Sequence, residues 1–211
     1  VLAAGLKAGT GARIGIGAGI TDVQRIFKEL FNAADISDDS AEFDHLFQDG
    51  ETIRLGQLTI EILHTPGHTP GCVSYRTGDA VFVGDTLFMP DYGTARADFP
   101  GGDAVLLYRS IRRLLALPPE TRLFLCHDYK APGRSHYQWE TSVAEQNAQN
   151  IHIRRGISEA DFVALREARD RTLAPPRLLL PSIQVNIRAG SLPPAESNGT
   201  HYLKIPIRKP V

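Results

Sequence analysis

The chain has 211 residues, 42% hydrophobic and 22% charged, with a formal net charge of -1 at pH 7. That is the balance of a globular protein with a buried core, and it supplies no electrostatic drive toward nucleic acid or an anionic membrane. No apolar run approaches the roughly 20 residues needed to span a bilayer.

Two cysteines, Cys72 and Cys126, with no CxxC pair argue against a disulfide framework or a cysteine-based zinc site. They read as buried small hydrophobes in a reducing cytoplasm. The opening VLAAGLKAGTG lacks the basic start and long apolar stretch of a secretory signal. It reads as the tail of a helix that stops at Gly9 and Gly11. Beginning in mid-element without Met, it is expected to follow further residues.

ARIGIG reads as a short strand, and TDVQRIFKELFNA as a helix with Thr21 as N-cap and Val23, Ile26, Phe27, Leu30 and Phe31 on its apolar face. ETIRLG and LTIEIL form a predicted hairpin through Gly56-Gln57; CVSYRTG and DAVFVGD form two more strands around Gly78-Asp79. A long loop, TLFMPDYGTARADFPGGDA, leads into VLLYRSIRRLLAL, a helix with Arg112 and Arg113 on its solvated face. TRLFLCHD is a strand ending in polar residues. Helical patterns follow from about Thr141 to Asn150 and from Ser158 to Leu173, the second opening with a box-like Ser158-Glu159-Ala160-Asp161. From Pro175 the tail is rich in Pro and Gly, with a strand-like SIQVNI. HYLKIPIRKP reads as an edge strand with a charged end, a candidate contact for a homodimer.

Three strand ends carry the residues of interest: His68 after LTIEILHT, Asp85 after AVFVG and His127 after RLFLC. Histidine and carboxylate donors on separate loops at one sheet edge suit a hard or borderline metal ion. The competing reading is local: a loop histidine with an ordinary hydrogen bond, and an aspartate capping a turn. The stretch HTPGHTPG weighs for the metal. Pro66 and Pro70 fix φ and Gly67 and Gly71 open turn geometries, so His68 stands on a stiff backbone, whereas His64 is still in the phase of its strand.

TPGHTPGC, then FVGDTLF, then LFLCHDY resemble the metallo-β-lactamase superfamily over essentially the whole chain. The resemblance implies an α/β fold, an αββα sandwich of two mixed sheets with outer helices. It would span residues 1–211 as one N-terminally incomplete domain, with 175–211 as a C-terminal strand and Pro-rich tail. DTLFMPDYGTARADFPGGDA, CHDYKAPGR and PSIQVNIRAG are more similar to the glutathione-persulfide dioxygenases than to glyoxalase II.

That narrower resemblance implies an enzyme with one Fe(II) per chain, held by two histidines and one aspartate, with His68 and Asp85 in two of these positions. The third ligand would be the first histidine of an HxHxDH motif, which this sequence lacks. It is expected to lie before Val1, and the chain without it is expected to bind iron weakly and be inactive. His127 would stand beside the iron in a mononuclear enzyme, or bind the second metal in a dinuclear one. Thr69, Arg96, Tyr129 and Arg188 lie on segments resembling the family's glutathione-contacting loops, with Asp98 orienting Arg96. No catalytic residue beyond the metal ligands is implied. The implied reaction takes glutathione persulfide and O2 to sulfite and glutathione. Two alternatives stand beside it: a glyoxalase II-type thioester hydrolase with two zinc ions, and a non-catalytic scaffold without the metal motif.

Overall fold

The computed structural model describes residues 2–207. Within it the chain divides into two compact units, residues 48–173 and a second formed by 1–47 with 174–211.

The larger unit is built on a six-stranded mixed sheet in the order β3-β4-β5-β6-β7-β8. Its strands are β3 (Thr52–Leu55), β4 (Leu58–His64), β5 (Val73–Thr77), β6 (Ala80–Phe82), β7 (Arg122–Phe124) and β8 (Glu140–Ser142). Both expected hairpins form, pairing Leu55 with Leu58 across Gly56-Gln57 and Thr77 with Ala80 across Gly78-Asp79. The pair β6–β7 is parallel, because α3 (Ala104–Leu115) crosses between them. It follows that β4, β6 and β7 all run in one direction, so His68, Asp85 and His127 leave the sheet at the same edge.

On one face of this sheet, Leu63, Val81 and Leu123 pack with Leu107, Ile111, Leu114 and Phe162 in the main core. Their helical partners come from α3 and from α5 (Glu159–Asp170). Asp103 caps α3 by accepting from the Leu106 N–H, and Ser158 caps α5 by accepting from the Asp161 N–H. The opposite face carries Phe82 stacked on its register partner Phe124, centroids 5.1 Å apart.

The smaller unit holds α1 (Leu2–Thr10), α2 (Ile20–Phe31), α6 (Leu179–Asn186) and a parallel pair, β1 (Gly15–Gly17) with β2 (His45–Phe47). Phe27 and Phe31 of α2 pack with Ile36 and Ile187, joined by Leu180 and Ile183.

Several expectations are corrected. SIQVNI is helical within α6, not a strand. Its alternation is misleading because Leu180, Ile183 and Ile187 form one face at helical spacing, and Pro181 falls in the first turn, where a missing N–H costs nothing. In the tail, residues 202–207 are irregular, with only His201 bridged to Ala195; the rest of the expected edge strand, 208–210, lies outside the described residues. Helix α2 starts at Ile20 with Gly19 as cap, while the Thr21 hydroxyl donates to the Ala18 carbonyl. The helix expected from Thr141 begins at Val143 as α4 (Val143–Gln149), because Thr141 is used in β8, opposite Leu123. Arg112 and Arg113 are not merely solvated: Arg112 donates to the carbonyls of Arg154 and Ile157, and Arg113 pairs with Asp49. Cys126 is exposed, contrary to its reading as a buried hydrophobe.

Candidate metal centre

HTPGHTPG is seated on α3. Gly67 sits at φ 137°, and a Cβ there would lie 2.3 Å from the backbone of Leu107, so only glycine fits this approach. The Gly67 carbonyl accepts from the Asp103 N–H, and the Pro66 carbonyl accepts from the Ser110 hydroxyl. His68 is thereby carried on a fixed turn. Its Nδ1 lies 2.8 Å from the Arg96 carbonyl, an oxygen that can only accept, so the ring proton sits on Nδ1 and Nε2 keeps its lone pair. This tautomer is the one a metal-binding histidine needs.

Asp85 and His127 follow the parallel neighbours β6 and β7 and meet directly: Asp85 Oδ1 is 3.2 Å from His127 Nε2. The same oxygen accepts from the Cys126 thiol at 3.0 Å. Asp85, Cys126 and His127 offer ligand atoms that all lie within 4.8 Å of one another, and among the described residues no other such group of three is present. His68 is not a member of it. Burial, followed by the hydrogen bond and charge of Asp85, pushes the Cys126 thiol up to about 12, so it is protonated and donating.

An aromatic wall stands beside His127. Tyr129 stacks on Tyr92 at 4.8 Å, meets Phe88 edge-on at 5.5 Å and lies 5.9 Å from the His127 ring. It is 53% exposed, and partial burial with the Asp85 charge raises its hydroxyl above the ordinary tyrosine value. Between them, Asp128 accepts from both Arg134 and the Lys130 and Gln138 N–H groups, which holds its carboxyl far below the usual range.

Arg96 contributes its carbonyl to His68 and its guanidinium to Asp98, bidentately at 2.6 and 2.7 Å. The guanidinium also lies over Phe99, whose ring is 5.2 Å from His68. Thr69 pairs its hydroxyl with Cys72 Sγ at 3.1 Å. Arg188 belongs to the smaller unit, where it is buried and commits two nitrogens to Asp35 at 2.7 and 2.8 Å. Sequence reasoning named His68, Asp85 and His127 but missed Cys126 and the Asp128–Arg134 anchor. The adjacency of Cys126 to His127 in CHDY was the available signal.

The donors present fit a divalent cation: a carboxylate oxygen, a histidine with its Nδ1 proton fixed on a carbonyl, and a second imidazole against that carboxylate.

Residues 5–127 match the metallo-beta-lactamase superfamily. A probable metallo-hydrolase of Burkholderia pseudomallei is 54% identical over 96% of this chain and 72% of its own length. Glyoxylase B2 of Dictyostelium discoideum is 48% identical over 93% and 68%, and the human mitochondrial persulfide dioxygenase ETHE1 is 30% identical over 71% and 56%. The crystal structure of ETHE1 from Myxococcus xanthus superposes with a TM-score of 0.71 at 31% identity, covering 89% of this chain and 71% of that one. The chain spans 46% of the length of three further relatives that are 50–52% identical to it. On the family match and on relatives this similar, the chain belongs to the metallo-beta-lactamase superfamily.

Proposed function

We propose that this protein is a non-haem iron persulfide dioxygenase. Glutathione persulfide, O2 and water are converted to glutathione, sulfite and two protons. The observation that carries the reading is the use of His127: it spends Nε2 on the Asp85 carboxylate, as a residue that orients a ligand does. Likeness to ETHE1 in both sequence and structure supports it.

His68 and Asp85 are the residues that would hold the iron. Bound iron supplies a redox-active centre for O2 chemistry, which redox-inert zinc does not. The chain's own residues bind and orient. Tyr129 offers a hydroxyl and an aromatic face beside His127, and Arg96 a guanidinium that Asp98 and Phe99 hold in place for a glutathione carboxylate. Thr69 would donate its hydroxyl after exchanging its contact with Cys72. Unpaired Cys72 and Cys126 favour a reducing compartment such as the cytoplasm, and no helix among the described residues is long and apolar enough to cross a membrane.

A glyoxalase II-type thioester hydrolase is the second reading, favoured by the likeness to Glyoxylase B2 and by the proximity of His127 and Asp85, which also suits a second metal ion. Oxygen-electrode assays of the full-length protein with glutathione persulfide, alongside anaerobic metal analysis, separate the two. The dioxygenase gives oxygen uptake and about one iron per chain. Thioester hydrolysis with about two zinc ions and no oxygen uptake would overturn it.

A further inference from the structure

We infer that Asp170 is a positioning residue for His68, acting through the peptide group that joins Arg96 to Ala97. The inference rests on the reading of His68 as a metal ligand and adds to it the residue that keeps Nε2 of that histidine free.

One peptide unit carries both contacts. Its carbonyl, that of Arg96, accepts from His68 Nδ1 at 2.8 Å, and its N–H, that of Ala97, donates to Asp170 Oδ2 at 2.9 Å. In a trans peptide these two groups point to opposite sides within one plane, so a bond at each end fixes the direction of the carbonyl. The carboxylate also strengthens that carbonyl. A negative charge at the N–H end polarises the amide, and hydrogen bonds in series reinforce one another, so the Arg96 oxygen becomes a better acceptor for an imidazole N–H. A proton moved to Nε2 would occupy the lone pair that a metal ion needs and would leave Nδ1 facing the carbonyl, acceptor against acceptor. A carboxylate that orients a metal-binding histidine usually touches the ring; here a peptide group is interposed.

Asp170 divides its oxygens between two tasks. Oδ1 pairs with Nε and Nη2 of Arg166, four residues earlier on α5, at 3.0 and 2.7 Å, while Oδ2 is left for Ala97, 73 residues away in sequence. Balancing the arginine alone would not require the second contact. Asp170 is 4% exposed and Ala97 8%, so water does not compete for the bond between them. The loop is pinned on either side as well: Arg166 donates to the Thr94 carbonyl, and Gly102 comes so near the Ala97 carbonyl that a Cβ there would lie 2.4 Å from its oxygen. Helix α5 thus sets the His68 ring from behind the loop, without touching it.

The test is read on metal-free, full-length protein carrying 15N-labelled histidine, so it does not depend on turnover. Long-range 1H–15N correlation at about pH 8.5, well above the ordinary histidine value, reports which nitrogen of a neutral ring holds the proton. The His68 signals are those lost in His68→Gln. The wild type should show the Nδ1–H form and an Ala97 amide slow to exchange with D2O; an Nε2–H form or a rapidly exchanging amide overturns the inference without any variant. Changing Asp170 alone would strand Arg166 in the core, so two double variants are compared. Arg166→Met with Asp170→Asn keeps an acceptor for Ala97, and Arg166→Met with Asp170→Leu removes it. The first should retain the Nδ1–H form. The second should show a mixture of both forms and bind Co(II), used alone as a redox-stable stand-in for Fe(II), about 10–100-fold more weakly. The same tautomer in both double variants overturns the role of Asp170. Oxygen uptake is measured separately: a protein that hydrolyses thioesters with zinc and shows this tautomer pattern loses the dioxygenase reading and keeps this one.

Discussion

Two arginine–aspartate anchors hold the segments that present the site, one deep and one shallow. Behind residues 94–97, the side chains of Arg166 and Asp170 on α5 are 1% and 5% exposed and pair at 2.7 Å. Arg166 donates to the Thr94 carbonyl, and Asp170 accepts from the Ala97 N–H, so the Arg96 carbonyl that fixes His68 is held between them. Beside His127, Arg134 joins Asp128 to Asp91, and Asp91 is 41% exposed. Protein surrounds the deep pair, so a broken partner leaves a charge with no solvent. Arg134 and Asp128 are themselves only 10% and 5% exposed, but their anchor reaches water through Asp91, and Asp128 keeps the Lys130 and Gln138 N–H groups as partners if the guanidinium is lost. Depth decides whether the whole fold or only one loop feels the loss of an anchor.

The sharpest test removes the deep arginine. Arg166→Ala strands Asp170 in the core and should lower unfolding free energy by about 3–5 kcal/mol, read from chemical denaturation. A cost below about 1 kcal/mol would place this pair with the surface pairs and erase the distinction.

The deep anchor also has a pH signature. His152 is buried, accepts the Thr94 N–H through Nδ1, and faces Arg166 and Arg169 of α5. Burial first, then these two charges, pushes its pKa down from 6.5 to about 4. The native state therefore binds fewer protons than the unfolded chain between those values. Its stabilisation is complete above about pH 6.5 and is lost as the pH falls through 4, amounting to about 3 kcal/mol. His152→Asn keeps an acceptor for Thr94 without the titration, so its stability should decline less than that of the wild type between pH 7 and pH 4. Parallel declines would show that His152 is not the group responsible.

How much of this could be read beforehand differs by element. Hairpins at Gly56-Gln57 and Gly78-Asp79 were legible because turn glycines separated β-rich runs, and α3 because its apolar face had helical spacing. Sheets with helices packed outside were legible from the order of these elements, whereas the αββα arrangement of mixed sheets was implied only by the resemblance of TPGHTPGC, FVGDTLF and LFLCHDY to the superfamily. SIQVNI was not, since six alternating residues suit a strand until Leu180 is added to the face. In the site, strand ends pointed to His68, Asp85 and His127 because their position after a strand is local information. The role of Arg166 was hidden: its partners Thr94 and Asp170 are 72 and 4 residues away, and only tertiary packing brings the first to it. Arg188 shows the converse, a residue found on a suggestive segment whose charge is already matched by Asp35, 153 residues distant in sequence.

The smallest effect on stability is expected from the shallow anchor, and it should be the larger effect on the site. Arg134→Ala removes hydrogen bonds to Asp128 and Asp91 and to the His136 carbonyl, but Asp91 is open to water and Asp128 keeps its two backbone N–H partners. Global stability should fall by only about 1–2 kcal/mol, the range for charged hydrogen bonds whose partners regain solvent. Asp128, however, adjoins His127 and also accepts from the Lys130 and Gln138 N–H groups, so losing the guanidinium loosens the turn that aims the imidazole. Zinc or Co(II) affinity should therefore drop 10–100-fold, as when an outer partner of a metal ligand is removed. Measured together, Arg166→Ala and Arg134→Ala should rank in opposite orders for stability and for cobalt binding. The same order in both assays would mean that one continuous network supports fold and site alike.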